Sequence, residues 1–77
     1  MKPQMIVELE EWGLRVSRLI ELVALTNQTL QMHRESGDSW LMIKQYEELL
    51  AERQQELDEL LKLHGLTLKV VPAETAA

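Results

Sequence analysis

The chain has 77 residues, 45% hydrophobic and 27% charged, with no Cys and a net charge of −5 from 13 acidic and 8 basic side chains. That length allows one domain at most, near the size at which a single core is barely sufficient, and the missing Cys excludes disulfides and thiolate metal sites. The negative balance repels phosphate backbones and anionic membrane surfaces, so neither nucleic acid nor membrane is an expected partner.

The apolar fraction is too high for a disordered segment. Leu dominates, Phe is absent, and the aromatics are Trp12, Trp40 and Tyr46, a composition that suits helices and predicts an all-α fold. The opening stretch MKPQMIVELEE carries acid where a secretory leader has an apolar run. The longest uncharged stretch, from Leu22 to His33, is too short and too polar to cross a bilayer. The expectation is a soluble, cytoplasmic protein.

The first predicted helix spans about residues 3–36. Pro3 suits its first turn, where a missing N–H is not needed. Glu8, Glu10 and Glu11 are expected early in the helix, close enough to interact well with the positive end of its dipole. Apolar residues recur at Met5, Leu9, Trp12, Val16, Leu19, Val23 and Leu30, in alternating steps of four and three with Thr26 filling one gap. That is a heptad seam of nearly four repeats. A second row follows Leu14, Leu22, Leu25 and Met32, and Ile6 and Ile20 flank the seam on its other side. One antiparallel neighbour covers only one stripe, so this helix carries surplus apolar perimeter.

The stretch RESGDSW, residues 34–40, interrupts the pattern. Gly37 is placed to end the first helix in a left-handed conformation, and Asp38 or Ser39 to cap the second. A loop of about three residues forces two such helices to lie antiparallel. The second predicted helix spans about 39–64. Its seam is Ile43, Tyr46, Leu50, Leu57 and Leu60, broken by Arg53, widened by Met42, Leu49 and Leu63 on one side and by Trp40 and Leu61 on the other. In a hairpin centred on Gly37 the two seams match in length and register.

Gly65 is placed to end the second helix, with Leu66 making the accompanying apolar contact. Beyond it, Leu66, Leu68 and Val70 alternate with Thr67 and Lys69, as in a strand. This arm, residues 66–71, has three expected fates: packed extended on the helices, which is favoured, paired with its own copy, or added to a sheet in another protein. Residues 72–77 are expected to form a flexible tail.

Chemistry is hard to place on this chain. No Glu-x-x-His pair of the di-metal bundles is present. His33 and His64 fall at opposite ends of the hairpin and suit interactions with helix-terminal carbonyls better than metal binding. Ser17, Ser36 and Ser39 are not set near a histidine, and Gly13, Gly37 and Gly65 are isolated rather than grouped in a phosphate loop. No catalytic, cofactor-binding or metal residue is assigned, and no small-molecule substrate is expected. Among the polar residues near the seams, Thr26, Asn27 and Gln54 are candidates to fix register, while Arg53 is expected to lay its stem on the seam and send its guanidinium to water or to a nearby Glu. The row Glu48, Glu52, Gln55 and Glu59 reads as a solvated face. Three i,i+4 pairs are expected to be supportive: Glu11 with Arg15, Lys44 with Glu48, and Asp58 with Lys62. Gly13 costs a helix about 1 kcal/mol relative to Ala; beside Trp12 it either admits another backbone or an indole, or is a tolerated accident, and the sequence does not decide between these.

The sequence therefore predicts an antiparallel helical hairpin that dimerises into a four-helix bundle, with Leu14, Leu22, Leu25 and Met32, together with Trp12, Leu19 and Val23, on the intersubunit or partner face. The expected function is that of a non-enzymatic oligomerisation or protein-interaction module, a structural or adaptor subunit whose expected partners are a second copy of itself and, after that, another protein. The alternative is a regulatory partner, antitoxin-like or chaperone-like, whose C-terminal arm orders on a target protein.

Overall fold

The computed structural model describes residues 4–71 and 73, with side chains from Glu8 onward. Pro3 and the greater part of the tail at 72–77 lie outside the described residues, as do the side chains of Met5 and Ile6. Two α-helices account for the regular structure: α1, Gln4–Glu35, and α2, Trp40–Lys62. No strand is present among the described residues. Because α1 begins at Gln4, its first turn holds no acidic side chain. The three early glutamates lie beyond the reach of a dipole effect that fades within one turn.

The turn is a complete Schellman ending. Gly37 has φ +67, the left-handed conformation that its missing side chain permits at little cost. Its N–H bonds to the Arg34 carbonyl at 3.3 Å, and the Asp38 N–H bonds to the His33 carbonyl at 3.1 Å, which satisfies two carbonyls at the end of α1. Ser39 then caps α2, its Oγ accepting from the Met42 N–H at 3.3 Å. Asp38 bonds instead to the His33 ring, which also stacks on Tyr46 at 4.9 Å. The end of α2 repeats the device. Gly65 has φ +74, its N–H bonds to the Lys62 carbonyl, and the Leu66 N–H bonds to the Leu61 carbonyl.

So short a turn lays the helices antiparallel. Trp12 Nε1 donates to the Leu60 carbonyl at 2.6 Å, a second donor beside the Leu63 N–H to that acceptor near the end of α2. Near the turn, Arg34 pairs with Glu47 at 3.0 Å. The result is a rod of 54 × 31 × 19 Å with a radius of gyration of 15.9 Å, against about 11.5 Å for a compact chain of this length.

Burial follows from that shape. Among the described residues, the fully buried apolar side chains are Leu30, 2% exposed, and Leu57, 4% exposed. Thr26 is buried too, its hydroxyl satisfied by the Leu22 carbonyl at 2.7 Å, a bond within its own helix that does not select a register. Trp12, Val16, Leu19, Val23, Ile43, Tyr46, Leu50 and Leu60 are half-buried, and Leu9 is exposed. Arg53 bonds to Glu56 at 3.5 Å with its side chain one-third exposed. Asp58 and Lys62 are paired at 2.9 Å. Glu11 and Arg15 form no ion pair, nor do Lys44 and Glu48. Lys44 lies over the Trp40 ring instead, exchanging a weak surface charge pair for a cation–π contact.

A Cβ added at Gly13 would meet no atom within 4 Å. Gly13→Ala should therefore stabilise the fold by about 0.5–1 kcal/mol in urea denaturation, the helix-propensity gain undiminished by a clash. Leu30→Ala should destabilise it by about 2–5 kcal/mol in the same experiment.

Candidate protein-interaction surface

The two helices form one layer, and a layer has two broad faces. With the direction of Leu30 and Leu57 taken as inward, and about 100° of rotation per residue, the remaining side chains sort onto these faces and onto the outer edges. One face carries Ile20 and Ala24 of α1 with Leu50 and Gln54 of α2. The C-terminal segment runs back along this face, so that Val70 and Val71 border the same groove, of about 700 Å³. Leu68 is half-buried there.

The segment is held by one carboxylate. Asp58 Oδ1 accepts from the Leu68 N–H and from the Thr67 hydroxyl, each at 2.8 Å, while Oδ2 meets the Lys62 ammonium. Hydrogen bonds from Lys62, Leu68 and Thr67 all favour the ionised form and hold the Asp58 carboxyl at about 2, below its usual value of 3.8. The same hydrogen bond and charge raise Lys62.

The opposite face is open. Leu22 and Leu25 of α1 project on this side with Met42, Leu49, Leu60 and Leu63 of α2. Two shallow grooves mark it. One of about 430 Å³ lies between Leu19, Leu60 and Leu63, with Arg15, Glu56 and Glu59 at its rim. The other, about 220 Å³, is formed by Met42, Gln45, Tyr46 and Leu49. Leu25, Met42 and Leu63 are exposed on this face, Leu63 at 70%.

The seven residues singled out in the sequence do not form one patch. Trp12, Leu19 and Val23 lie in or beside the seam between the helices and are half-buried, with Trp12 already committed to α2 and ring-to-ring with His64 at 4.3 Å. Leu22 lies on the open face, and Leu25 at the border between that face and the outer edge of α1. Leu14 and Met32 point away from α2 on the outer edge of α1, Leu14 being 72% exposed. Periodicity placed these four in one row because 14, 25 and 32 fall close together on the helix, with 22 about a quarter-turn away. The α2 contribution, Met42, Leu49 and Leu63, was visible as a widening of its seam and is part of the open face. The Asp58 latch was not visible: the spacing from Asp58 to Thr67 has meaning only once the chain reverses at Gly65.

No three His, Asp or Glu side chains converge as a metal site among the described residues, and no helix among them is long and apolar enough to cross a membrane. Comparison of the chain with protein-family models, with curated proteins and with solved structures yields no match.

The Asp58 latch has a testable pH dependence. Its folded-state pKa is depressed, so its contribution is complete above about 4 and is lost as pH falls towards 2. The amide signals of Thr67 and Leu68 should titrate with a midpoint near 2, and a midpoint at the ordinary 3.8 would contradict the latch. At neutral pH, Asp58→Ala should accelerate tryptic cleavage after Lys69 without unfolding the helices. An unchanged cleavage rate would count against it.

Proposed function

We propose that this chain is a non-enzymatic assembly module, an α-helical hairpin that pairs with a second copy through its open face to form a four-helix bundle, and that the bundle serves as a structural or adaptor subunit. The observation that carries the reading is surplus surface. The chain exposes 6498 Å², whereas a compact protein of 8.9 kDa exposes about 4,800 Å². The excess, about 1,700 Å², is roughly twice what each partner gives to a standard interface.

The location of the apolar surface supports the same reading. Leu22, Leu25, Met42, Leu49 and Leu63 gather on the face that the C-terminal segment does not cover. A second hairpin laid there turns two half-buried seams into one bundle core, the usual solution for antiparallel helices with wide apolar stripes. The outer edge of α1, with Leu14 and Met32, remains exposed in such a dimer and is the surface we assign to any further protein partner. Asp58 favours this reading over that of a regulatory arm that orders on a target, because the segment already has a seat on its own hairpin.

Leu22→Glu combined with Leu25→Glu should convert the dimer to a monomer by light scattering, while Glu48→Lys, far from the open face, should leave the mass unchanged. An unaltered mass in the double variant would remove the open face from the interface.

A further inference from the structure

We propose that the second copy lies with its α2 against α1 of the first, antiparallel to it, with both turns at the same end, and that Arg15 and Arg18 pair with Glu59 and Glu56 of the second copy. This rests on the reading that the open face binds a second copy, and adds the orientation that selects it.

The inference comes from register. Trp12 touches Leu60 and His64, the positions either side of Lys62, which lies as far from Gly37 as Trp12 does. Residues equidistant from the turn are therefore level to within about one helical turn. On the open side of α1, Arg15 and Arg18 lie towards the free end of the hairpin, and Leu25 towards the turn. On the open side of α2, the positions level with these are Glu59, Glu56 and Leu49. Basic positions are thus level with acidic ones, and an apolar position with an apolar one. Leu22, level with Glu52, is the mismatch, which the methylene stem of a rim glutamate can cover.

Within one chain these edges face away from each other across the groove lined by Arg15, Leu19, Glu56, Glu59, Leu60 and Leu63. Neither arginine forms an ion pair there. A two-fold axis parallel to the helices preserves level and exchanges α1 with α2, and so places each arginine opposite a glutamate of the other copy. An axis across the helices instead stacks each helix on its own copy. Arg15 and Arg18 would then face the stretch from Leu25 to Met32, which carries no acid, and Glu52 would approach its own counterpart. Charge placement of this kind discriminates between orientations of one interface more than it adds affinity.

Two measurements test this. The first uses two charge-reversed chains, one with Arg15→Glu and Arg18→Glu, the other with Glu56→Arg and Glu59→Arg, helicity being checked by circular dichroism. Each alone should self-associate on the order of tenfold or more weakly than the unmodified chain. An equimolar mixture should recover a two-chain mass. A mixture that behaves as the sum of its parts would overturn the pairing, because charge pairs made within one chain cannot be restored by mixing. The second exploits the absence of Cys: a spin label on Ser36→Cys reports the separation of the two turns. Turns at one end should give about 20–30 Å, the width of two or three packed helices. Turns at opposite ends would give a separation close to the 54 Å length of the rod. A dimer with the long separation overturns the orientation and leaves the assembly reading intact. An unmodified chain that never associates overturns both.

Discussion

Two helices make one layer, and one layer cannot bury two faces. Every other feature of this molecule follows from that geometry. The strip where α1 and α2 touch is narrow, so Leu30, Leu57 and Thr26 are enclosed while the other described seam positions remain partly open. Helix propensity cannot make up the deficit, because isolated helices gain most of their stability from packing an amphipathic face. The chain lays its own C-terminal segment, held by Asp58, along one face, where Ile20 is still 53% exposed. The other face is open, and in the proposed assembly a second copy covers it.

The turn does more than reverse the chain. With Gly37 in the left-handed conformation and Ser39 capping the next helix, it fixes which positions of α1 and α2 lie level. That register decides whether a second hairpin meets matching or clashing chemistry. Two of the polar residues near the seam find partners locally: Thr26 bonds back to Leu22, and Arg53 reaches Glu56. A buried polar group with no partner would cost about 1–3 kcal/mol, and no buried side-chain nitrogen or oxygen among the described residues lacks one.

The local structure was legible in the sequence because it depends on short-range rules. Gly37, Ser39 and Gly65 each act within a few residues of their own position, and the heptad seams report one helix at a time. The capping role was split between Asp38 and Ser39 by the sequence, and the structure resolves it: Ser39 caps, and Asp38 bonds to His33. The candidate site was legible only in part. Periodicity shows how much apolar perimeter a helix has but not which part another segment covers, so Leu14 and Met32 were grouped with Leu22 although they project from a different edge. The latch at Asp58 and the choice of covered face depend on the path of residues 66–71 over both helices. No local pattern encodes that path.

Self-association of the unmodified chain is the point on which the functional reading stands, and sedimentation equilibrium combined with thermal melting at several low micromolar concentrations tests it most directly. A two-chain mass, with a melting temperature that rises as concentration rises, is the predicted result. A single-chain mass with a cooperative melt independent of concentration would contradict it, because a lone hairpin with this much exposed leucine would then be stable without a partner.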